Sequence, residues 1–71
     1  MQLIINGQTR EFAELSAAST VADLSALLAL KGDRIAVEHN GSIVPRQQWT
    51  QTPIQASDKF EIVHFVGGGA A

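Results

Sequence analysis

A chain of 71 residues, 45% hydrophobic and 17% charged, has room for one small domain and enough apolar surface to fold without staples. It contains no cysteine, which excludes a disulfide framework and any thiol chemistry of its own, so sulfur it handles must come from elsewhere. A net charge of −2 argues against a nucleic-acid surface; no apolar run approaches the ~20 residues of a membrane span, and no basic region leads into an apolar one at the N-terminus. The expectation is a soluble, cytoplasmic, monomeric domain.

Residues 1–5 form a short apolar run with strand propensity, and Asn6-Gly7 is a tight-turn dipeptide. Residues 8–12 can return antiparallel, which makes the opening a β-hairpin. After a small-residue connection, Thr20 reads as a helix N-cap with Asp23 completing a variant of the capping box. Val21, Leu24, Leu27 and Leu28 follow at helical spacing and predict one apolar stripe. Lys31 falls in the last turn, where a cation suits the dipole, and Gly32 is the predicted left-handed C′ residue.

Beyond Gly32 the period changes. Residues 35–38 predict a strand, Asn40-Gly41 repeats the hairpin dipeptide, and Ser42-Ile43-Val44 is its partner, stopped by Pro45. Residues 46–55 read as a polar connection anchored by Trp49 and Ile54. Residues 56–59 predict a turn, to which Asp58 contributes. The last strand runs over residues 60–66, and Gly67-Gly68-Gly69 follow it as a tail with no side chain to pack. The predicted division is therefore a domain over residues 1–66 and a glycine-rich tail over residues 67–71.

The order hairpin, helix, strands predicts an α+β β-grasp (ubiquitin-like) fold, a mixed sheet of about five strands on one helix, with the last strand in the middle beside the first. One helix covers only one sheet face. Alternation puts Phe60, Ile62, His64 and Val66 on one side of the last strand, and Val63 and Phe65 on the other, where no second helix exists to bury them. That exposed apolar pair predicts a docking surface. His64 is expected to be a partly buried structural or interface residue, and His39 a solvated side chain. Neither has a partner carboxylate placed by the sequence, and two isolated histidines do not make a metal site.

The run Asn40-Gly41-Ser42-Ile43-Val44-Pro45-Arg46-Gln47-Gln48-Trp49 resembles the central motif of the ThiS family, the sulfur carriers of thiamin biosynthesis. The ending Glu61-Ile62-Val63-His64-Phe65-Val66-Gly67-Gly68-Gly69 is similar to that family's C-terminus. The resemblance implies a carrier rather than an enzyme. Gly69 would be the modified residue, adenylated at its carboxylate with ATP by a ThiF-like enzyme, while Gly67 and Gly68 thread the enzyme's channel. Sulfur from a cysteine-desulfurase relay would convert it to a thiocarboxylate for delivery to the thiazole synthase ThiG. The chain would hold no cofactor or metal of its own. Val63, Phe65 and Arg46 are the candidate partner contacts, although Arg46 reads slightly more readily as a surface charge.

Ala70-Ala71 depart from the family's pattern and displace the terminal carboxylate by up to ~7 Å. Three alternatives stay open: a peptidase trims after Gly69, the alanines are foreign to the natural chain, or the copy is inactive. Other functions also stay open. A molybdopterin-type carrier of the MoaD kind or a ubiquitin-like modifier would share the tail, and a non-covalent docking module would leave it inert. An enzyme is the least supported reading, with no paired catalytic residues and little room for a pocket.

Overall fold

The computed structural model describes residues 1–30 and 34–64. The elements, in chain order, are β1 (Gln2–Ile5), β2 (Gln8–Glu11), α1 (Val21–Leu27), β3 (Ile35–His39), β4 (Ser42–Ile43), a 3-10 helix (Arg46–Gln51) and β5 (Lys59–His64). They form one five-stranded sheet in the order β2-β1-β5-β3-β4. The last strand lies at the centre, parallel to β1 and antiparallel to β3, which is the β-grasp arrangement.

Both hairpins owe their turns to the predicted dipeptides. Asn6 (φ 49°) and Gly7 (φ 82°), like Asn40 (φ 51°) and Gly41 (φ 91°), occupy the left-handed region at both central positions. That backbone twist matches the twist of the flanking strands, and asparagine and glycine are the residues that adopt it at least cost.

The core lies between one face of the sheet and the helical layer. Leu3 and Ile5 of β1, Ile35 and Val37 of β3, and Phe60 and Ile62 of β5 meet Val21 and Leu24 of α1 and Trp49 of the 3-10 helix. Phe60, Leu3 and Ile54 are fully buried. Burial alternates along β1, β3 and β5, the period-two pattern of strands with only one covered face. The region read as an irregular polar connection contains the six-residue 3-10 helix. Runs that long are uncommon in this geometry, and Trp49 pins this one: its ring is buried and its indole N–H donates to the Val44 carbonyl at 3.0 Å.

The N-terminus of α1 follows the sequence, with the Asp23 carboxylate accepting from the Thr20 backbone N–H at 2.8 Å. Its C-terminus does not. The helix closes at Leu28, and Ala29 takes the left-handed position (φ 55°) expected of Gly32. The N–H of Leu30 bonds the Ser25 carbonyl and that of Ala29 bonds the Ala26 carbonyl, at 3.0 and 3.1 Å, which is a complete Schellman motif. Leu30, at C″, packs against the core and supplies the motif's apolar contact. Lys31 and Gly32 lie outside the described residues. Leu27, placed in the apolar stripe by its spacing, is 40% exposed. Among the described residues no helix is long and apolar enough to cross a membrane.

Candidate partner-docking site

Among the described residues the helical layer covers one face of the sheet and leaves the other open. On the open face β5 carries Lys59, Glu61 and Val63, all exposed, between the alternating buried Phe60 and Ile62. Register extends this face sideways. Val63 is paired with Ala36, Glu61 with Glu38, and Glu38 in turn with Ile43 of β4. Val63 and Ile43 are the most exposed large apolar residues of the sheet, at 48% and 67%. Facing residues on neighbouring strands have Cβ atoms ~5 Å apart, so Val63 and Ala36 form an apolar pair, while Ile43 faces Glu38 and lies diagonally from Ala36. Neither Glu38 nor Glu61 has an ion-pair partner among the described residues.

The exposed position of Val63 thus follows the strand phase read from alternation. Phe65, Gly67, Gly68 and Gly69 lie outside the described residues, as does the boundary drawn at residue 66. Arg46 stands apart from Val63. It is exposed and opens the 3-10 helix, whose Trp49 packs with α1 in the layer on the other side of the sheet. The structure therefore places Val63 on the open face and Arg46 in a different element. Ala36, Glu38 and Ile43 join Val63 only through strand register, which no local pattern in the sequence reveals, whereas Glu61 shares its face by alternation.

Both histidine expectations are corrected. His39 is not solvated. Its ring stacks on Phe60 with centroids 4.7 Å apart and planes 8° from parallel, and its Nε2 lies 2.6 Å from Oδ2 of Asp58. An ionised carboxylate can only accept, so Nε2 carries the proton in this bond. Asp58 also accepts from the Gln55 backbone N–H at 2.9 Å and from the Asn40 side chain at 3.2 Å. Burial by itself would raise the Asp58 carboxyl; the hydrogen bonds from His39, Gln55 and Asn40 outweigh it and hold the group below the ordinary carboxylate value. His64, expected to be partly buried, is exposed, because burial on the core face of β5 stops at Ile62.

The cluster around Asp58 does structural work at the start of β5. Among the described residues no group of three or more His, Asp or Glu side chains is arranged to hold a metal ion. What the arrangement offers is an exposed, partly apolar face on the strand that precedes the glycine run in sequence.

The model of the ThiS family matches residues 3–69. The sulfur carrier protein ThiS of Bacillus subtilis is 38% identical over 50 residues, covering 70% of this chain and 76% of that protein. A thiazole synthase of Paramagnetospirillum magneticum is 43% identical over 70 residues, which is 99% of this chain but 21% of the relative; this chain spans about a fifth of the length of the thiazole synthases it matches. The crystal structure of a thiamine biosynthesis protein (ThiS) from Geobacter metallireducens superposes with a TM-score of 0.83 at 27% identity, over 97% of this chain and 100% of that one. With the family model spanning nearly the whole chain and the same fold in a solved relative, this chain belongs to the ThiS family.

Proposed function

We propose that the chain is a sulfur carrier for thiazole formation in thiamin biosynthesis, a substrate of an adenylating enzyme rather than an enzyme itself, working in the cytoplasm through the carboxylate of Gly69. One observation carries this reading: the family match ends at residue 69, on the last of the three glycines that follow the central strand. Glycine is the one residue whose missing side chain lets a chain end pass through a narrow channel to a buried nucleotide.

A carboxylate is a poor electrophile. Attack of its oxygen on the α-phosphate of ATP expels pyrophosphate and leaves an acyl adenylate. A sulfur nucleophile from a cysteine-desulfurase relay then adds to the acyl carbon, and AMP departs with the original carboxyl oxygen. Where that nucleophile is a persulfide, a second thiol cuts its S–S bond, leaving the thiocarboxylate and a disulfide. ATP belongs to the ThiF-like partner in this scheme, and the carrier contributes no base or metal. The relatives named thiazole synthase support a thiazole synthase as the acceptor of the sulfur. The open face around Val63 is the proposed docking region, Phe65 is a further proposed partner contact, and Arg46, on the 3-10 helix, is a separate proposed contact.

The test is a reconstitution with the chain ended at Gly69, a ThiF-like enzyme, ATP, a cysteine desulfurase and cysteine, read by intact mass. The expected product is heavier by one oxygen-to-sulfur exchange, and deletion of residues 67–71 abolishes it with the fold unchanged. If the deletion variant still sustains thiazole formation once a thiazole synthase and its other substrates are added, the tail is inert and the chain is a docking module.

A further inference from the structure

β1 stops pairing with β5 before β5 ends. Ile5 and Phe60 form the last backbone pair of that ladder, after which the chain turns away at Asn6-Gly7. The Ile4 N–H bonds the Asp58 carbonyl and the Asn6 N–H bonds the Phe60 carbonyl, so alternate residues of β5 direct their peptide groups toward β1. By that alternation, the next such residue, Ile62, would have no rung on this side. The Asn6 side chain supplies it. Its Oδ1 accepts the Ile62 N–H at 2.7 Å, and its Nδ2 donates to the Ile62 carbonyl at 3.4 Å. A carboxamide has the donor and acceptor of a peptide unit, and here it extends the ladder past the end of its own strand.

We propose that Asn6 is a positioning residue for the carrier reaction: it holds β5 at Ile62 on the β1 side and so fixes the heading of the described end of β5, the strand that precedes Gly69 in sequence. The proposal rests on the sulfur-carrier reading above. Beyond Ile62 the described part of β5 is held only through β3, by the pairings of Val63 with Ala36 and His64 with Ile35. A strand end fixed on both sides keeps a fixed heading; one fixed on a single side can twist about that pairing. Delivery of a carboxylate to an in-line position on ATP is sensitive to small misplacements.

The fold contains its own control. Asn40, in the other hairpin turn, makes a chemically matched bond at the opposite end of the same strand, its Oδ1 accepting the Lys59 N–H at 2.9 Å. Both asparagines sit at positive φ, 49° and 51°. Replacement by glycine at either position therefore removes the amide while suiting the turn's backbone.

The experiment compares the chain ended at Gly69 with its Asn6→Gly, Asn6→Asp and Asn40→Gly variants, at a temperature where circular dichroism shows all four folded. Amide exchange is followed by NMR, and adenylation by a ThiF-like enzyme at saturating ATP. Asn6→Gly is expected to lower the protection of the Ile62 amide, relative to that of Val37, by about two- to tenfold, the range of one net hydrogen bond. It is expected to lower kcat for adenylation by a similar factor with KM for the carrier unchanged, because the open face is intact. Asn6→Asp keeps the acceptor for the Ile62 N–H and should fall between. Asn40→Gly should leave both kinetic constants unchanged. Wild-type kinetics in Asn6→Gly would overturn the proposal, as would an equal loss in Asn40→Gly, which would mark a general stability effect. Failure of the wild-type chain itself to be adenylated would instead overturn the carrier reading and this proposal with it.

Discussion

Replacing Val63 with aspartate tests the proposed docking face separately from the core. Val63 is 48% exposed, so about half of its side chain is already in water. Full burial of a valine contributes about 1.5–3 kcal/mol, which leaves about 1 kcal/mol at stake here. The poorer strand propensity of aspartate costs up to about 1 kcal/mol more. A domain of this size is stable by roughly 4–10 kcal/mol, so Val63→Asp remains folded. Across a partner interface the same change puts a charge into an apolar contact beside Glu61. Truncating a central contact costs about 2 kcal/mol or more, roughly thirtyfold in kcat/KM. The assay is pyrophosphate release by a ThiF-like enzyme with the chain ended at Gly69, beside urea melts of the same preparations. Gln47→Asp, exposed on the 3-10 helix, controls for added charge. A folded Val63→Asp within about threefold of wild type would refute the docking role of this face, and an unfolded one would refute the assigned burial of β5.

Two further perturbations test the fold. Asp58 titrates below its ordinary value in the folded state, so its contribution is fully present above the unfolded carboxylate value and fades as pH falls through the depressed folded one. Urea midpoints should therefore fall on acidification below about pH 4, and less steeply in Asp58→Asn, which starts lower; parallel profiles would show that the His39–Asp58–Asn40 cluster contributes nothing. Ala29 adopts φ 55°, a conformation glycine takes without the steric cost of a Cβ, so Ala29→Gly should stabilise the domain by about 0.5–1 kcal/mol after the added chain entropy. A lower melting temperature would refute that account.

Features governed by neighbours in sequence were legible from sequence. Both Asn-Gly turns, the Thr20–Asp23 cap and the alternation of Phe60 and Ile62 each involve residues a few positions apart, and the structure has them where the patterns put them. The end of α1 was misread because Gly32 is the stronger residue-type signal, whereas the observed end uses Ala29 so that Leu30 can reach the core. His39 was misread for another reason. Its partner Asp58 is 19 residues away and comes alongside only when β3 and β5 pair in register. The same holds for Asn6 and Ile62, 56 residues apart. At the candidate site, the outward position of Val63 could be read from its strand, but its neighbours Ala36, Glu38 and Ile43 could not.

The central place of β5 bears on how the protein is made. The strand that joins the two hairpins is the last of the strands to be synthesised, and β1 does not touch β3 in the sheet order β2-β1-β5-β3-β4. A nascent or truncated chain lacking residues 59–64 holds two separate hairpins with bare inner edges, each too small to be stable alone. The sheet closes only when β5 slides between them. Folding and assembly of the open sheet face are thereby one event, and an unfinished chain has no such face.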